Sequence, residues 1–135
     1  MGQYALGQSV LRSEDPRLLR GRGRFADDRA LPHMAHGYVL RSPHVHATVN
    51  GIDVAAAKAA PGVIEEFTGA DWQALGWGDV PGDLPRKLRD GSTAYAPRFP
   101  ALVSDRVCCV GDSVAFVVAE SRVLEQDAAE LIKVD

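Results

Sequence analysis

All four histidines of this 135-residue chain fall between His33 and His46. In the stretch RSPHVHATVNGID, residues 41–53, His44 and His46 stand two apart. On an extended strand that spacing puts both imidazoles on one face, where they could hold a metal, and His33 with His36 lies a short loop away. A transition-metal site needs three or four ligands and outer groups that orient them. No cysteine is near. The closest carboxylates, Asp27 and Asp28, follow Arg12, Arg17, Arg20, Arg22 and Arg24, so they read more simply as ion-pair partners of that arginine run. The histidines are read as polar strand residues at a surface or interface, and no metal ligand is assigned.

Other candidates fail on context. GRGRFA, residues 21–26, has the glycine pattern of a dinucleotide fingerprint in its alanine-ended form. That fingerprint works between a strand and a long helix whose amino terminus receives the phosphates; here a capped turn precedes it and DDRALP follows. Neither Ser42 nor Ser113 carries the flanking glycines of a nucleophile elbow. Glu65 and Glu66 are adjacent, so a strand would send them to opposite faces and keep them from serving as acid and base on one substrate. Asp112, in a Gly-Asp turn, reads as turn chemistry. Trp72 and Trp77 read as buried aromatics. Cys108 and Cys109, the only cysteines, are neighbours; a disulfide between them would close a strained small ring, so both are expected as reduced thiols of a cytoplasmic protein. No catalytic, cofactor-binding or metal-binding residue is assigned.

The elements around these residues set their positions. Residues 1–24 read as an extended, arginine-rich arm with one helical turn in DPRLLRG, capped by Asp15, opened by Pro16 and ended by Gly21. Residues 25–135 read as the domain proper. AHGYVLR (35–41) and HATVNGI (46–52) have the mixed β-branched and polar pattern of strands, with Ser42-Pro43 breaking the ladder between them. Asp53 is placed to cap a helix through VAAAKAA, which Pro61-Gly62 ends. VIEEFT (63–68) reads as a strand and GADWQAL as a helical turn. RVCCV (106–110) and VAFVVAE (114–120) read as strands, the second nearly continuous and buried. Ser121 caps a last helix that turns Leu124, Ala128, Leu131 and Ile132 to the sheet and Glu125, Gln126 and Glu130 to water. Residues 76–97 form a long excursion rich in glycine and proline, of the kind that carries function or lies against another domain. The chain stops as a strand opens at Lys133-Val134-Asp135, and so reads as a piece of a longer one.

The totals agree with one soluble globular domain: 46% hydrophobic and 24% charged residues, with no internal repeat. A net charge of −3 argues against a general nucleic-acid binder. The longest largely apolar run, 114–119, is far short of a membrane span, and the amino terminus lacks the basic start and apolar core of an export signal.

Taken in order, SVLRSEDPRLLRGRGRFADD, YVLRSPHVHATVNGIDVAAAKAAPGVIEEFTGADW and PALVSDRVCCVGDSVAFVVAESRVLEQDAAELIKVD resemble the amino-terminal domain of molybdenum hydroxylase large subunits, the xanthine dehydrogenase, aldehyde oxidase and aerobic carbon monoxide dehydrogenase family. The resemblance runs from about Ser9 to Asp135. It implies an α+β fold, the α/β-hammerhead, with a mixed sheet and a few helices packed on it. It also implies that the chain is one structural domain of a much longer subunit. The molybdopterin cofactor and catalytic glutamate of that subunit lie further on, while iron-sulfur clusters and FAD sit in partner domains or subunits. Partners are then the rest of the large subunit and the iron-sulfur and flavin subunits, with no nucleic acid and no membrane span. No family catalytic residue maps onto a position here. The alternatives are a stand-alone adaptor or maturation protein built on the same domain, and a small metal-binding protein that uses the histidines.

Overall fold

The computed structural model describes residue 7 and residues 11–81 and 86–135. These fall into two compact units, Met1–Pro32 and His33–Asp135. In the first unit, helix α1 (Asp15–Leu18) is a single turn. Glu14, one residue earlier than expected, takes the cap position, and Arg17 reaches back to its carboxylate at 3.2 Å. Pro16 sits within the first turn, where its missing N–H costs nothing. Gly21 ends the turn by donating its N–H to the Leu18 carbonyl. A 3₁₀ turn follows at Ala26–Asp28. The Asp28 carboxylate accepts the Phe25 N–H there, a capping bond where the sequence reading placed an arginine partner.

In the second unit the strands are β1 (His36–Arg41), β2 (Ala47–Thr48), β3 (Ile52–Asp53), β4 (Val63–Thr68), β5 (Arg106–Val107), β6 (Ser113–Ala119) and β7 (Lys133–Val134). The helices are α2 (Ala55–Lys58), α3 (Gly69–Ala74) and α4 (Arg122–Glu130). Among the described residues the expected mixed sheet takes the form of three small antiparallel ones: β1-β6-β4, β2-β5 and β3-β7. The run of β-branched and aromatic residues in β6 suits the centre of the largest sheet, where both edges are paired. Ala115, Val117 and Ala119 on that strand are 0% exposed.

Sequence and structure part at four places. HATVNGI is two short strands rather than one, because Asn50-Gly51 lets the chain change partners. Val49 donates to the Asp105 carbonyl, whereas Asn50 donates to Asp135 and Gly51 accepts from it. The RVCCV strand stops at Val107, since the Asp112 carboxylate takes the N–H groups of Cys108 and Cys109 away from any ladder. Helix α2 has four residues; Asp53 accepts the Ala55 N–H, and Gly62, at φ +75°, turns the chain into β4. Helix α4 keeps Ser121 as its cap, with Oγ accepting the Leu124 N–H. Its buried stripe, however, is Glu125, Ala128, Ala129 and Ile132, and Leu131 is 45% exposed. That stripe has the i, i+3, i+4, i+7 spacing of one helix face. The two alanines, at 0% and 1% exposure, bring the helix close to the sheet and carry Glu125 inside with them.

Two adjoining cores result. One joins Ala57, Ala115, Val117, Ala128, Ala129 and Ile132; the other joins Val103, Val107 and Val114; and Ile52 packs against both. No helix among the described residues is long and apolar enough to cross a membrane.

Candidate functional site

An apolar cleft of about 330 Å³ opens between β1, β2, β5 and β7. Leu40, Val49, Val107, Val114, Ile132 and Val134 line it, with Arg41, Ser42 and His44 among the polar groups. The arginine is already engaged: Arg41 Nη1 donates to the Gly111 carbonyl at 2.7 Å. Ser42 is buried, and its Oγ accepts the His44 N–H at 3.0 Å, which fixes the bend after β1. His44 and His46 lie in that bend ahead of β2, both exposed, and so do not share a strand face. His36 is half-buried in β1, and His33 precedes it with φ 58°. Among the described residues no three histidine, cysteine or acidic side chains gather as metal ligands.

The glutamate pair behaves differently from the expectation. The register of β4 shifts between Val63 and Glu65. Both carboxylates then reach one ammonium, Lys58 Nζ lying 3.0 Å from Glu66 and 3.8 Å from Glu65. The Glu66 side chain is only 5% exposed while that of Lys58 is 66% exposed. The hydrogen bond and charge of Glu66, helped by Glu65, push the lysine pKa above its ordinary value. An ammonium held charged this way is no nucleophile, and its work is to neutralise a buried carboxylate and tie α2 to β4.

Asp112 does what turn chemistry predicts. Its Oδ2 accepts from the Cys108 N–H at 2.6 Å and the Cys109 N–H at 3.1 Å, while Cys109 Sγ donates to Oδ1 at 2.8 Å. The Cys109 thiol, then the two backbone donors, hold this carboxyl below the usual carboxylate range. In return the hydrogen bond to Asp112 raises the Cys109 thiol, which stays protonated. Both cysteines are free and exposed.

Further contacts organise the outer surface. Thr68 and Asp71 cap α3 reciprocally, a relation legible as the Thr-x-x-Asp spacing. Trp72 and Trp77 are not buried: their rings meet edge to face at 4.6 Å, Trp77 is 47% exposed, and Phe67 lies 6.0 Å from it. Trp72 Nε1 donates to the Gly78 carbonyl, which pins the start of the excursion. Arg98 then grips Asp79 with two hydrogen bonds of 2.7 and 3.1 Å, a pairing nineteen residues apart that no sequence signal announces.

The molybdopterin implied by the resemblance needs several donors around its phosphate and pterin edge. The apolar cleft, with its arginine committed to a backbone carbonyl, does not supply them and does not fit that group.

Residues 20–135 match the family described as "Aldehyde oxidase and xanthine dehydrogenase, a/b hammerhead domain". The large subunit of nicotine 6-hydroxylase from Paenarthrobacter nicotinovorans is 38% identical over 127 residues, covering 94% of this chain and 15% of that protein. The carbon monoxide dehydrogenase large chain of Afipia carboxidovorans is 38% identical over 133 residues, covering 96% and 15%. In the crystal structure of quinoline 2-oxidoreductase from Pseudomonas putida 86, a chain 44% identical superposes with a TM-score of 0.77, over 96% of this chain and 16% of that one. The chain thus spans about 15% of the length of the curated relatives it matches. It belongs to the a/b hammerhead domain family of aldehyde oxidases and xanthine dehydrogenases.

Proposed function

We propose that the chain is the amino-terminal structural domain of the large subunit of a molybdopterin-dependent oxidoreductase in the cytoplasm. The reaction would be hydroxylation or oxidation of a small molecule, with oxygen taken from water. The molybdenum cofactor, held elsewhere in the subunit, supplies the oxidation, and iron-sulfur and flavin partners carry the electrons away. The residues of this chain contribute packing. The observation that carries the reading is continuous similarity over 96% of the chain to about one sixth of an oxidoreductase chain. Beside it, the candidate groups here are tied to one another: Lys58 to two glutamates, Asp112 to its own turn, Arg41 to a carbonyl.

The test is the mass of the native polypeptide, detected in its source cell with an antibody raised against this domain. The expected result is a band several times larger than 14.5 kDa that co-purifies with molybdenum. A native band at 14.5 kDa without molybdenum would overturn the reading in favour of a stand-alone adaptor.

A further inference from the structure

The described residues of the excursion after α3, 76–81 and 86–97, form a built structure. Its base is closed by the Asp79–Arg98 pair and by a bond of 2.8 Å from the Val80 N–H to the Phe99 carbonyl. Further out, residues 86–94 fold back on themselves as a short antiparallel ribbon. Lys87 pairs with Thr93, Leu88 donates to Ser92, and Ala94 donates to Arg86, the latter two at 2.8 Å. Asp90 locks the turn by accepting the Ser92 N–H and hydroxyl.

What this ribbon presents has no use within the described residues. Arg86, Lys87 and Arg89 are exposed and make no ion pair among the described residues, in a chain whose net charge is −3. Leu88 is 54% exposed and Tyr95, directly after the ribbon, 90% exposed. A solvated loop has no need of an aromatic ring held in water beside three cations that pair with no described carboxylate. Arginine and tyrosine are the residue types that anchor protein interfaces, and a preformed ribbon loses little conformational freedom on binding.

We propose that the ribbon Arg86–Tyr95 is a docking finger for an acidic protein surface in the assembly to which the chain belongs. Tyr95 and Leu88 enter apolar depressions, and Arg86, Lys87 and Arg89 pair with carboxylates around them. Charge complementarity selects that occupant. A nucleic acid would ask for a longer track of cations, and the acidic chain as a whole opposes it. The proposal rests on the reading of the chain as one domain of a larger assembly.

The experiment places a benzophenone amino acid at Tyr95 of the full native protein and irradiates the purified complex. Crosslinks to a peptide rich in Asp and Glu outside the ribbon are expected. Joint replacement Arg86→Glu, Lys87→Glu and Arg89→Glu should lower their yield about tenfold or more, while Arg86→Lys with Arg89→Lys keeps it. An intact complex that gives no crosslink, or one to a neutral or basic peptide or to nucleic acid, overturns the proposal and leaves the domain reading standing. A native polypeptide found alone at 14.5 kDa overturns both.

Discussion

At the scale of single residues, the chemistry of this chain is directed inward. Asp112 satisfies two backbone donors and a thiol at once, and the raised Cys109 thiol is the other side of that bond. Replacing Asp112 by Ala should bring Cys109 back toward an ordinary thiol and so enlarge its thiolate fraction at neutral pH. Alkylation of Cys109 by iodoacetamide at pH 7.5, followed by peptide mass spectrometry, should speed up several-fold relative to Cys108. An unchanged ratio of the two rates would mean that Asp112 does not control the thiol. The role of Asp112 was legible because Gly-Asp turns have known side-chain geometry. That of Glu125 was not. Its Oε2 is buried without a hydrogen-bond partner among the described residues. Phasing the helix by its leucines hid this, because the sheet received the helix on its alanines.

At the scale of elements, α3 depends on its cap. Thr68 accepts the Asp71 N–H, and the Asp71 carboxylate accepts both the hydroxyl and the N–H of Thr68. Those bonds, the hydroxyl first, hold the Asp71 carboxyl below its ordinary value. The folded pKa is depressed, so the contribution is present above the unfolded value near about 4 and is lost as pH falls through the folded one. Asp71→Ala should then cost about 1 kcal/mol at pH 7 and less at pH 3, read from urea unfolding of both chains at each pH. Equal cost at the two pH values would show that the ionised carboxylate is not what caps the helix. Gly69, the next residue, has no such freedom to change: a Cβ there would stand 2.5 Å from the Val103 carbonyl oxygen. Strands β1, β4 and β6 were readable because six or seven residues of periodic pattern outweigh local noise. Strands β2, β3 and β5 lie within the strands expected over HATVNGI and RVCCV, but at two residues each they are too short for a period to mark their ends, and only their partners set those bounds.

At the scale of the whole molecule, the cores are built from small side chains, Val114 and Val117 being the largest that are fully buried. In the second unit the larger apolar residues Val45, Ile64, Tyr95 and Val110 are more than half exposed. In the amino-terminal unit neither α1 nor the 3₁₀ turn buries a residue, and the segment carries a run of arginines. Among the described residues Arg17 has only a surface pair with Glu14, worth a fraction of a kcal/mol. Joint replacement of Arg17, Arg20 and Arg22 by Ala should therefore leave the unfolding midpoint of the chain within a degree or two. If these arginines serve the assembly, the same change in the full protein should reduce co-purification of its partner subunits, and raised salt should mimic it. Partner recovery equal to that of the parent protein at every salt concentration would assign the arm to solvent. A lowered unfolding midpoint in the chain alone would instead mean that the arginines stabilise the fold they precede.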